Sequence, residues 1–161
     1  MIYFRWCGAA LILIAALVCS REYSAYTERR MAEGQGLLSL LLHIEKMIES
    51  YLASGGELFE GFIDERLEAC GFLPKMREGG RGAFSDAKNS LTVGAPIKER
   101  LCTYFSGFGK GYKASELKRL DECISDCKSM ISSEKTELEK SIKVTRALLL
   151  GGAVGVAILI I

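Results

Sequence analysis

Charge is the feature that most limits what this chain can become. Of its 21 Lys and Arg and 20 Asp and Glu residues, Arg5 alone lies outside residues 21–146. Two apolar runs, Trp6–Ser20 and Ala147–Ile161, flank that charged middle, and each holds 15 uncharged residues. A helix needs about 20 apolar residues to cross a hydrocarbon core about 30 Å thick. Ile2, Tyr3 and Phe4 extend the first run if Arg5 snorkels. Val144 and Thr145 extend the last if Arg146 does the same. The expectation is an N-terminal anchor over residues 1–20 and a C-terminal anchor over 147–161. Trp6, Leu11, Leu17, Leu148, Val154 and Ile160 mark the two membrane anchors. Gly151 and Gly155 form a small-xxx-small pair, read either as a helix contact or as ordinary span composition.

The first run has rivals to an uncleaved anchor. A secretory signal would be cut near Ser24-Ala25-Tyr26, a poor small-residue site. A lipoprotein attachment would use Cys19, but Val18 stands where a small residue is expected. Basic residues favour the middle over the ends: Arg21, Arg29 and Arg30 follow the first run, and Lys135, Lys140, Lys143 and Arg146 precede the last. The positive-inside bias therefore puts residues 21–146 in the cytoplasm and both termini outside. The chain has six cysteines. Cys123 and Cys127, four apart on one helix, are poorly spaced to bridge each other. Unpaired thiols fit a reducing compartment.

Residues 21–146 are expected to be all-helical, a small antiparallel bundle flanked by the two spans. Leu37, Leu38, Leu41, Ile44, Met47, Ile48, Tyr51 and Leu52 recur at helical spacing along a continuation of the first span. Gly34 and Gly36 weaken that helix, and Ser54-Gly55-Gly56 ends it. A second helix runs from Glu57 to Cys70, with Leu58, Phe59, Phe62, Ile63, Leu67 and Cys70 on one face. Gly71-Phe72-Leu73-Pro74 is a break, and Arg77–Gly82 a flexible connection. Phe84–Leu91 is a short third helix. Pro96 opens a fourth, whose core face is Ile97, Leu101, Tyr104, Phe105 and Phe108. Ser115 caps the last helix, on which Leu117, Leu120, Ile124, Cys127, Ile131 and Leu138 form a stripe.

The middle is electrically balanced, which gives no footprint for nucleic acid. Gly107-Phe108-Gly109-Lys110-Gly111 lacks the spacing, the Ser or Thr and the preceding strand of a phosphate loop. It is a hinge, and Gly107, Gly109, Lys110 and Lys113 mark a candidate partner surface. His43, the single histidine, sits among leucines with no nucleophile placed beside it by any motif. Cys123, Cys127 and His43 fall short of the four ligands of a closed zinc site. Asp64, Glu65, Asp121, Glu122 and Asp126 show no di-metal pattern. No catalytic, cofactor, metal or small-molecule site is expected. Lys140, Lys143 and Arg146 step toward the membrane, where snorkelling explains them and a role on anionic headgroups is a further option.

Phe105-Ser106-Gly107-Phe108-Gly109-Lys110, leading into Glu116-Leu117-Lys118-Arg119-Leu120, resembles the stage III sporulation protein AB family of endospore-forming bacteria. Arg146-Ala147-Leu148-Leu149-Leu150-Gly151-Gly152, followed by aliphatic residues, looks like that family's C-terminal anchor. The family's Asp-x-x-x-Gln stretch is missing, since Gly111–Ser115 reaches Leu117 without it. The family's fold is similar to the cytoplasmic domains of the type II secretion platform protein. The resemblance implies a non-enzymatic scaffold in the mother-cell membrane, part of the channel linking mother cell and forespore, with a secretion-type ATPase as partner. The rival reading is a secreted or surface helical module with a cleaved signal and one C-terminal anchor.

Overall fold

A computed structural model describes residues 2–50 and 57–160. It contains seven α-helices among the described residues: α1 (Ile2–Ser50), α2 (Glu57–Glu60), α3 (Glu65–Ala69), α4 (Phe72–Gly79), α5 (Phe84–Ala87), α6 (Ala95–Gly107) and α7 (Lys113–Ile160). Two 3₁₀ turns, Gly80–Ala83 and Lys88–Ser90, flank α5, and no strand occurs among the described residues. The all-helical expectation therefore holds. The chain forms two compact units, one of residues Arg29–Glu134 and one of Met1–Glu28 with Lys135–Ile161.

Unit Arg29–Glu134 has a conventional apolar core. Leu37, Leu40, Leu41 and Ile44 of α1 are buried at 3.6-residue spacing. They pack with Leu58, Phe59, Leu67, Phe72, Leu73 and Met76 from the short helices, and with Ile97, Leu101, Tyr104 and Phe105 of α6. Leu120, Cys123 and Cys127 supply the α7 side. Aromatic rings carry much of this packing: Phe84 stacks on Phe105 with centroids 4.9 Å apart, and Phe72 meets Phe84 edge-on at 5.9 Å. Contacts along α1 and α7 run in opposite order. Lys113 Nζ donates to the Glu49 carbonyl at 2.7 Å, Gly34 lies against Ile131, and Arg30 pairs with Glu134. Gly34 and Gly36 do not interrupt α1. A Cβ at Gly36 would lie 3.1 Å from both Asp64 Oδ1 and Leu67 Cγ, so glycine there lets α3 approach α1 closely. Tyr51, Leu52 and the terminator Ser54-Gly55-Gly56 lie outside the described residues.

The helix expected over Glu57–Cys70 is broken. α2 ends at Glu60, and α3 begins at Glu65. Asp64 is the physical cause: extended at φ −143°, it accepts hydrogen bonds from the amides of Arg66 (3.1 Å) and Leu67 (3.0 Å). That N-cap starts a new helix and is incompatible with an old one passing through. Ile63, expected on the core face, is instead 80% exposed. Arg77 bridges the break by donating to the carbonyls of Phe59 (3.3 Å) and Phe62 (2.7 Å) while pairing with Glu68 (2.5 Å).

Further expectations are corrected along residues 71–115. Gly71, at φ 77°, does separate α3 from α4, but Phe72–Pro74 is the first turn of α4, which buries Phe72, Leu73 and Met76. Pro74 sits in the first turn, where its missing N–H has no intrahelical partner to lose. Arg77–Gly82 is accordingly helix and 3₁₀ turn rather than loose connection. The third helix is shorter than expected: Phe84–Ala87 is α-helical, and Lys88–Ser90 tightens to 3₁₀. Pro96 does open α6. α7 starts at Lys113, so Ser115 stands in its first turn rather than at its cap.

Unit Met1–Glu28 with Lys135–Ile161 has the reverse polarity. Among its described residues, the buried ones are small or hydroxylated: Ala9, Ala16, Ser20, Thr27 and Ala153. On α1 these lie seven, four and seven residues apart, one seam of a helix. Tyr23 and Ser141 hydroxyls share a hydrogen bond of 2.7 Å, and Arg146 Nη2 donates to Ser24 Oγ at 3.3 Å. Thr27 Oγ1 donates to the Tyr23 carbonyl at 2.9 Å, returning its hydroxyl to its own helix. The large side chains Trp6, Leu11, Ile14, Leu17, Val18, Leu148, Val154 and Ile158 face outward.

Candidate functional site

The expected anchor residues are all on the surface where their side chains are described. Trp6 is 57% exposed, Leu11 67%, Leu17 56%, Leu148 70% and Val154 49%. Ile160 closes α7, and its side chain lies outside the described residues. One helix among the described residues, α1 over Gly8–Ser50, is long and apolar enough to cross a membrane. Only 11% of its most apolar stretch is buried, unlike the core helix of a soluble protein. Gly151 and Gly155 do not form a close helix contact: a Cβ added to either meets nothing within 4 Å. Ala153 between them is the buried residue.

Where the apolar surface gives way to charge, a cleft of about 750 Å³ opens in this unit. Leu17 and Leu150 line one part of it, Arg21 and Arg146 another, with Ser24 and Glu28 beyond. Lys140 and Lys143 are exposed on α7 and do not line the cleft. Of the three expected membrane-proximal cations, only Arg146 is brought together with a residue of α1. Arg21, whose place in the sequence points only to topology, joins it. The signal was available: each arginine ends an apolar run on the charged side.

The expected hinge is a clasped connection. α6 ends at Gly107, and Phe108 is buried against Tyr104. Gly109 has φ 76°, a conformation that costs any residue with a Cβ roughly 1–2 kcal/mol. Glu116, 5% exposed, accepts from the Gly111 amide (3.2 Å) and from Arg119 Nη1 (3.3 Å), which also donates to the Gly107 carbonyl (2.9 Å). Lys110 is exposed beside a small cleft of about 210 Å³ lined by Phe84, Cys102, Phe105 and Phe108. Lys113 is tied to α1 through Glu49, so it is separate from Lys110 in role.

A second carboxylate, Glu33, is buried with no sign of it in the sequence pattern. Glu33 Oε2 accepts from the Thr92 amide at 2.6 Å and its hydroxyl at 2.9 Å, while Oε1 has no hydrogen-bond partner among the described residues. It lines a cleft of about 580 Å³ with Arg29, Arg66 and Cys70. Burial pushes the Cys70 thiol up. Cys123 and Cys127 are free and buried. Their mutual hydrogen bond lowers the thiol of Cys123, helped by Arg100, and raises that of Cys127, together with burial. His43 is half-buried with its ring 5.4 Å from that of Phe62. Among the described residues, no three His, Cys, Asp or Glu side chains are placed to hold a metal ion. The geometry presents an apolar outer surface with a basic cleft at its edge and, in the other unit, helices around a buried apolar core.

Comparison with protein-family models, curated proteins and solved structures finds no match.

Proposed function

We propose that this chain is a membrane-anchored, non-enzymatic scaffold, with residues 1–20 and 147–161 in the bilayer and residues 21–146 as a small antiparallel cytoplasmic bundle. One observation carries the reading: the unit holding both apolar runs buries Ala, Ser and Thr and exposes Trp, Leu, Ile and Val. Water forbids that polarity over so large a surface, whereas lipid removes the drive to bury large apolar groups and favours small residues between helices. In this reading the first run is uncleaved, which the poor small-residue site at Ser24-Ala25-Tyr26 supports.

The particular role follows from the resemblance of Phe105–Lys110, Glu116–Leu120 and Arg146–Gly152 to the stage III sporulation protein AB family. In this reading the chain belongs to the secretion-like channel between mother cell and forespore and docks a cytoplasmic secretion-type ATPase. The exposed face near Lys110 is the docking surface, and the Glu116–Arg119 clasp holds it in register with α7.

Membrane fractionation tests the first half. The full chain is expected in the alkali-washed membrane pellet, and a fragment of residues 21–146 in the supernatant with helical circular dichroism; a soluble full chain defeats the reading. Deletion of the gene in an endospore-forming host tests the second half. Endospore yield should collapse with vegetative growth unchanged, and the tagged chain should retain the ATPase. Normal endospore yield removes the sporulation role and leaves the scaffold.

A further inference from the structure

The cleft at the edge of the apolar surface has more order than snorkelling requires. Two cations that only need to reach the headgroup layer would do so independently. Here Arg21 of α1 and Arg146 of α7 line the same cleft, and Arg146 Nη2 donates to Ser24 Oγ at 3.3 Å. Among the described residues neither arginine has a carboxylate within ion-pair distance, so two positive charges share one space. Such a pair is stabilised by an anion that accepts from both, and the guanidinium fork matches phosphate oxygens.

The surroundings narrow the anion further. Leu17 precedes Arg21 by one turn, and Leu150 follows Arg146 by one turn, so on each helix a leucine adjoins the arginine on its apolar side. Glu28 lies two turns from Arg21 in the opposite direction along α1 and lines the same cleft. The order of apolar wall, paired arginines and carboxylate follows the order of a phospholipid: acyl chain, phosphodiester, headgroup. Glu28 repels a free phosphate dianion. It accepts a hydrogen bond from an ammonium or hydroxyl, which ethanolamine and glycerol headgroups carry and choline lacks.

Building on the membrane reading above, we propose that Arg21 and Arg146 clamp the phosphodiester of one phospholipid with a donor-bearing headgroup, and that Glu28 reads that headgroup. The bound lipid ties α1 to α7 at the membrane surface and so makes the anchor responsive to lipid composition.

The full chain in nanodiscs tests this. Discs of phosphatidylcholine alone, or mixed with phosphatidylethanolamine or phosphatidylglycerol, are loaded with the wild type and with the R21K/R146K variant. Native mass spectrometry then counts the lipids retained per chain after the disc is dissolved. The lysine variant keeps both charges and the topology but loses the fork. Wild type should retain one ethanolamine or glycerol lipid, and the variant about tenfold less, the factor expected for losing charge-assisted hydrogen bonds worth about 1.4 kcal/mol or more. E28A, which removes the acceptor, should erase the preference over phosphatidylcholine, and E28Q, which keeps one, should weaken it less. Equal retention by wild type and R21K/R146K overturns the clamp. Displacement of the lipid by millimolar inorganic phosphate shows a site for phosphate alone and overturns the lipid assignment. A chain that never enters the disc fails at the earlier loading step, which separates failure of the membrane reading from failure of the clamp.

Discussion

Tyr104 and Glu33 show how differently a buried polar atom can act. Tyr104 is 1% exposed, and its hydroxyl has no hydrogen-bond partner among the described residues. Removing an unpaired hydroxyl relieves a desolvation penalty, so Tyr104→Phe should leave stability unchanged or raise it by up to about 1 kcal/mol in urea unfolding. Burial, with Glu116 nearby, holds the phenol proton above its ordinary pKa. A raised folded-state value means stability is fully present below the unfolded pKa of about 10 and is lost as pH rises beyond it. The Phe variant should therefore be less sensitive to alkali, measured as a shallower fall in Tm above about pH 10. Equal alkaline slopes would remove Tyr104 from that transition. Glu33 is the opposite case. Its Oε2 takes both the amide and the hydroxyl of Thr92, so Glu33→Ala should cost about 2–3 kcal/mol and Glu33→Gln, which keeps an acceptor, clearly less. Thermal melts followed at 222 nm would rank the pair. Periodicity places Tyr104 on a core face without showing that its hydroxyl goes unpaired, and it gives no sign of Glu33, a charge in a helix rich in charges whose partner lies 59 positions away.

At the scale of elements, legibility followed period. Ile97, Leu101, Tyr104, Phe105 and Phe108 were readable as a face because α6 is long enough to repeat its pattern, and all five are buried. The stripe on α7 was readable for the same reason, with Leu120 and Cys127 in the core and Ile124 and Ile131 against it. Residues 57–90 were not, because pieces of four to eight residues hold barely two turns. There the deciding contacts are single side chains: Asp64 starting α3 and Arg77 collecting carbonyls across the gap. The α6–α7 connection is decided in the same way. Gly109→Ala should lower stability by roughly 1–2 kcal/mol through its φ of 76° alone, with native-like helix content retained. A chemical denaturation curve unchanged from wild type would contradict that backbone assignment.

For the whole molecule, the two units invert each other's polarity. Residues Arg29–Glu134 bury Phe, Leu and Tyr as a water-soluble protein does, and the other unit buries Ala, Ser and Thr. If the proposed topology is right, a membrane-impermeant maleimide applied to the cytoplasmic face should label the half-buried Cys70 and Cys102 and leave Cys123 and Cys127 unlabelled until denaturation. Labelling of Cys70 or Cys102 from the outer face would reverse the orientation and exclude a cytoplasmic ATPase as partner.

The sequence alone determined the helical class, the two apolar runs and the core faces of the longest helices. Each is a one-dimensional pattern: uncharged length, or a residue type recurring every 3.6 positions. Tertiary structure alone decided where short helices begin and end, which carboxylates go inside, and that Arg21 and Arg146 share a cleft although 125 positions separate them. Those outcomes depend on one side chain meeting a particular distant partner. A periodic pattern records which face of a helix is apolar, and it carries no information about what that face will meet.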